Sequence, residues 1–155
     1  YFRVSILVNS GSPQRVETAN NICERMRTAG ISVSVEECGY EEYMSRIQSG
    51  DYQLFIGETE LLPNNDLTPL AGSGGNYFGY ANDEIDTLLT QMGTVTLESD
   101  IKAVSIALYE KLRDESPFAP ICFSKKSIVS SAKIKYGVSP SISGYVRGTE
   151  KWGVQ

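Results

Sequence analysis

Residues 2–8 (FRVSILV) are apolar at nearly every position and rich in β-branched side chains. Such a run is buried on both faces, the condition of a strand inside a parallel sheet. Residues 9–11 (NSG) form a turn. Ser12 then offers a helix cap, and Pro13 offers the preset φ that suits a first helical position. Val16, Ala19, Cys23, Met26 and Ala29 follow at helical spacing on one face, and Gly30 stands where a left-handed residue ends a helix. Residues 31–37 (ISVSVEE) alternate as a half-buried strand does. Residues 40–49 predict a short helix closed by Gly50, and residues 52–56 (YQLFI) a third strand reaching Gly57. The order β-α-β-α-β with short connections predicts an α/β fold, a mainly parallel sheet flanked by helices.

Residues 58–81 break that rhythm. The stretch holds prolines, asparagines and Gly72-Ser73-Gly74-Gly75. It is too long for a passive connector in a compact domain, and loops of this length bind or cover something. Asn82 is expected to cap a helix running to about residue 92, followed by a linker over 93–97. Ser99 is expected to cap a longer helix that buries Ile101, Val104, Leu108 and Leu112 and stops at Pro117 and Pro120. The tail, residues 121–154, reads as short strands and turns with Trp152 as an anchor. The sequence contains no internal repeat and no low-complexity segment.

With 155 residues the chain has the size of one domain, and a chain of this length buries roughly 70% of its unfolded surface. The net charge of −5, with no basic cluster, argues against nucleic acid as a partner. Lys125-Lys126 and the Lys133/Lys135 pair read as solvated strand edges. Histidine is absent, which excludes Ser-His-Asp and Cys-His catalysis and His-ligated metal within the chain. The three cysteines, Cys23, Cys38 and Cys122, are an odd number without a C-x-x-C motif, and read as buried free thiols. No apolar run approaches the roughly 20 residues a membrane helix needs.

Two Gly/Ser turns, residues 10–13 and 72–75, lack the patterns of nucleotide-binding loops. Glu36-Glu37 and Glu41-Glu42 read as solvated faces, and Asp83 and Glu84 as first-turn acids that suit a helix macrodipole. Glu58 and Glu60 differ, because they follow the C-terminal end of a strand, the edge where open α/β sheets bind ligands. They read either as ligand groups there or as solvated surface. Tyr77, Phe78 and Tyr80 read either as an aromatic platform lining a cleft or as pins that fasten a long loop to the core.

An ordered series of segments carries a resemblance. ILVNSGSPQRVETANNI, RMRTAGISVSVEE, YEEYMSRIQSGDYQLFIGE, GYANDEIDTLL and ALYEKLRDESPFAPICF follow one another across essentially the whole chain. In that order they resemble the C-terminal lobe of the peptide/nickel class of bacterial extracellular solute-binding proteins, family 5. The resemblance implies one lobe of a type II periplasmic-binding-protein-like fold, with residues 1–155 a single domain excised from a larger two-lobed protein. It implies capture of a short peptide or similar small solute between the lobes and delivery to the membrane permease of an ABC importer, without catalysis or cofactor. An extracellular setting follows, periplasmic or as a membrane-anchored lipoprotein. Relatives hold the ligand ammonium with an acid after the third strand. That position falls near Leu62 here, with Glu58, Glu60 and Asp66 the neighbouring carboxylates and Asn76, Tyr77 and Tyr80 in the loop expected near the cleft. The rival readings are a ligand-sensing or interaction module without transport, and a hydrolase using the loop carboxylates.

Overall fold

A computed structural model describes residues 3–61, 66–123, 129, 131, 133–136, 151 and 153–154. Three parallel strands, β1 (Arg3–Asn9), β2 (Ser32–Cys38) and β3 (Leu54–Phe55), form a sheet in the order β2-β1-β3. The central position of β1 explains why its run is apolar at nearly every position. Val4, Ile6 and Val8 point to one face and Leu7 to the other, and all four are buried. The register is continuous, pairing Arg3 with Ser32 through Asn9 with Cys38 on one side, and Ile6 with Leu54 and Leu7 with Phe55 on the other.

Helices α1 (Pro13–Thr28) and α2 (Tyr40–Ser49) cover opposite faces of this sheet. On the α1 face, Ala19 and Cys23 close a core with Val4, Ile6, Val8, Val33 and Ile56. On the α2 face, Tyr43 and Ile47 close a second core with Leu7 and Cys38. Both helices stop at left-handed glycines, Gly30 at φ +84° and Gly50 at φ +73°. After α1, the Ile31 N–H donates to the Met26 carbonyl and the Gly30 N–H to the Arg27 carbonyl, which satisfies the frayed end and turns the chain into β2. The expected helical stripe therefore holds from Val16 to Met26, while Ala29 is an exposed cap.

Beyond β3 the chain forms a helical unit: α3 (Thr68–Ala71), α4 (Asp83–Thr94) and α5 (Glu98–Glu115). Ile85 of α4 packs on Leu108 and Leu112 of α5 and on Ala71. Asn82 caps α4 as the sequence predicts, its Oδ1 accepting from the Glu84 and Ile85 N–H groups at 3.0 and 3.2 Å.

Three expectations are corrected here. Gly93 and Thr94 belong to α4 and not to a linker, because neither breaks the hydrogen-bonded turn on which Val95 closes. Leu97, not Ser99, occupies the extended cap position of α5, and the Ser99 hydroxyl bonds Asp100 instead. Ile101 is 38% exposed, since α5 packs on α4 mainly through its C-terminal half.

The third strand is shorter than the apolar run suggests. The Gln53 side chain, in place of a backbone carbonyl, accepts the Ser5 N–H at 2.7 Å, so the β1–β3 ladder begins only at Leu54. A separate antiparallel pair joins β4 (Ile134–Tyr136), which follows Lys133 and contains Lys135, to β5 (Gly153–Val154). Cys23 and Cys38 are buried free thiols, whereas Cys122 is exposed, correcting that part of the expectation. Trp152, Lys125 and Lys126 lie outside the described residues.

Candidate functional site

The sheet order decides where a ligand would meet this fold. The chain leaves the C-terminal end of β1 into α1 on one face, and returns through β2 and α2 on the other face to reach β3. Connections therefore diverge between the carboxyl ends of β1 and β3. That is a topological switch point, the place where open α/β sheets form a ligand crevice.

Two charged side chains meet there. Arg15 lies in the first turn of α1, and Glu58 follows Gly57 just past β3. The Arg15 Nη2 and Glu58 Oε2 atoms are 2.6 Å apart, with Arg15 22% and Glu58 74% exposed. A cation in the first turn of a helix opposes the macrodipole, and α1 has no acid there to balance it. Glu58 supplies the compensating charge from another element. The sequence reading missed Arg15; its misplaced sign at a helix start was the available signal.

The backbone beneath Glu58 is held from both sides. The Tyr77 hydroxyl donates to the Glu58 carbonyl at 3.3 Å, and the buried Tyr43 hydroxyl donates to the Ile56 carbonyl at 2.8 Å. Burial pushes both phenols above their ordinary range, so both remain neutral donors at physiological pH. Gly57 is required between these two anchors. A Cβ there would overlap the Tyr77 hydroxyl and lie 2.8 Å from the Phe55 ring. Phe55 is the hub of the aromatic group, with ring centroids 6.1 Å from Tyr77, 5.7 Å from Phe78 and 5.0 Å from Tyr52.

The other expected site residues fall in two groups. Glu60 is exposed in the same loop. Asp66 Oδ1 accepts the Thr68 N–H at 2.9 Å, and its bonds to Thr68 hold its carboxyl below the usual range. Asn76 and Tyr80 are committed to the loop itself. Asn76 Nδ2 donates to the Gly72 and Tyr80 carbonyls at 2.7 and 2.8 Å, while Oδ1 accepts the Phe78 and Tyr80 N–H groups at 3.2 and 3.0 Å. Those four bonds use all the hydrogen-bonding capacity of an asparagine amide. Tyr80 packs against the α3–α4–α5 core, its hydroxyl buried beside Asn82 without a well-formed hydrogen bond. Tyr77 and Phe78 pack on the α2-face core, and the Tyr52 hydroxyl holds the Phe78 carbonyl at 3.1 Å. Tyr77, Phe78 and Tyr80 thus all fasten the loop to core residues. Leu62 lies outside the described residues, and no cluster able to hold a metal ion occurs among those described.

Known structures share this architecture. Over 99% of the chain the fold matches 32% of the oligopeptide-binding protein AppA of Bacillus subtilis, solved with a nonapeptide, at a TM-score of 0.66 and 17% identity. A periplasmic oligopeptide-binding protein of an ABC transporter from Thermotoga maritima matches 77% of the chain with 25% of its own, at a TM-score of 0.66 and 23% identity. A dipeptide-binding protein from Pseudoalteromonas, solved with Met-Leu, matches 75% of the chain with 25% of its own, at a TM-score of 0.62 and 23% identity. No family model and no curated protein matches the sequence. The chain thus shares its fold with part of each of these proteins, and it spans between a quarter and a third of their length.

Proposed function

We propose that residues 1–155 form one lobe of a two-lobed extracellular solute receptor, which captures a short peptide or similar small solute and hands it to an ABC permease. The observation that carries this reading is the Arg15–Glu58 pair at the switch point of a fold shared with peptide-binding proteins. Glu58 offers an exposed carboxylate on a backbone pinned by Tyr43 and Tyr77, which suits it to hold a cationic group in a defined place. Glu60, exposed in the same loop, and Asp66, further along the chain, are the other carboxylates this reading assigns to the ligand. The second lobe would close over this edge, shifting the population from open to closed forms as ligand contacts both walls. The reading assigns no bond-making step to the chain and places the receptor in the periplasm or at the outer cell surface.

The test is made on the full-length protein. A native mass spectrum of the purified receptor is expected to show extra mass that resolves into short peptides on denaturation. Replacing Glu58→Gln, Glu60→Gln and Asp66→Asn together is then expected to weaken binding of those peptides about tenfold or more, the scale of one lost charge-assisted hydrogen bond. Unchanged affinity in the triple variant would overturn the assignment of this edge.

A further inference from the structure

We propose that Arg15 is a built-in counter-ion, occupying the Glu58 carboxylate in the unliganded lobe and displaced by the ammonium group of the ligand. The inference rests on the reading of Glu58 as a ligand anchor and adds what controls it.

The geometry separates the two partners. Arg15 is anchored on α1 and mostly covered, whereas Glu58 stands on the loop and is mostly open. A solute reaching the edge therefore meets the carboxylate first, with the guanidinium already bound to one of its oxygens at 2.6 Å. Two cations on one carboxylate repel each other, so an incoming ammonium must push Arg15 aside or share Glu58 at reduced strength. The pinned backbone at Ile56 and Glu58 prevents the loop from relieving that conflict by moving away. Arg15 thus acts as a threshold. It neutralises the Glu58 carboxylate, and it selects a ligand whose other contacts outweigh a surface ion pair. An exposed pair of this kind is weak, so the competition amounts to roughly two- to fivefold in affinity.

The experiment uses the full-length protein and alanine peptides of two to five residues, each with a free or an acetylated amino terminus, measured by calorimetry. Arg15→Gln is expected to bind the free-amine peptides roughly two- to fivefold more tightly and to leave the acetylated ones unchanged. Arg15→Lys, which keeps a cation against Glu58, is expected to stay near the wild type. Arg25→Gln removes the same charge from the same helix about 15 Å further along, beyond the screening length at physiological salt, and is expected to change nothing. Thermal melts of each variant confirm that it is folded. Equal affinity of wild type and Arg15→Gln for the free-amine peptides would overturn the counter-ion role while leaving the anchor reading intact. Weaker binding by Arg15→Gln would make Arg15 itself a ligand contact and also overturn it. Failure of every peptide to bind wild type and variant alike would sink the underlying reading and the inference with it.

Discussion

At the residue scale the most constrained position is Gly57. Its φ is not the issue; the space above its Cα is taken by the Tyr77 hydroxyl and the Phe55 ring. A methyl group there has to displace an aromatic ring that is itself packed against Tyr43, Tyr52 and Phe78. Gly57→Ala is therefore expected to cost about 1–3 kcal/mol, the usual range for overpacking a close-fitted site. Urea denaturation of the variant checks it. Gly57→Ala combined with Tyr77→Phe, which removes the clashing oxygen, is expected to recover part of the loss. A loss that stays the same in the double variant would shift the cause to the Phe55 ring alone.

At the element scale, β2 and α2 are tied by charge as well as by packing. Arg46, near the end of α2, donates to Glu36 Oε2 of β2 at 2.8 Å and to Asp51 Oδ2 at 3.0 Å. The bond to Arg46 is the main cause that holds the Glu36 carboxyl below its ordinary value of 4.5. The sign follows from linkage: a depressed folded-state value means stability that is present above about pH 4.5 and is lost as pH falls through the lower, folded value. Arg46→Gln is expected to be less stable than the parent at neutral pH. The gap is expected to narrow as pH is lowered from about 5 to 3, because protonation removes the partner charge in both proteins. Melting temperatures over that range check it, and a gap independent of pH would assign the effect to packing of the arginine stem.

The same elements show what can be read from sequence. The largely apolar run of β1, the glycines at positions 30 and 50 and the asparagine at position 82 each act through local chemistry, and each lies where its pattern puts it. The features that escaped are tertiary. A glutamine side chain that stands in for a ladder bond shortens β3, and Leu97 takes the α5 cap through its own extended backbone, at φ −78°, ψ 134°. Arg15 and Glu58 are distant in the chain and meet only because α1 and β3 converge on one sheet edge. Its place after a strand marked Glu58, but nothing local could pair it. Likewise the loop chemistry of Asn76 reads as polar and available until its four bonds are counted.

At the scale of the whole molecule, the described residues leave apolar surface uncovered. Leu54 on β3 is 44% exposed, Ile106 and Tyr109 on α5 are 49% and 58% exposed, and Phe123 is 82% exposed. On the reading proposed above, the remainder of a longer receptor would supply the second wall of the cleft. Binding then draws on contacts from both walls, and one wall alone must order the ligand with half of them while incurring the same loss of translational freedom. A polypeptide of residues 1–155 is accordingly expected to bind the peptides recovered from the full-length receptor about 100-fold or more weakly than the receptor does. Calorimetry on both proteins with the same peptide checks it. Small-angle scattering of the receptor is expected to contract on adding that peptide, as closure requires, while residues 1–155 alone show no change. Equal affinity in the two proteins would mean that the crevice between β1 and β3 is a complete site, with Glu58 and its neighbours sufficient to hold the ligand without a second lobe.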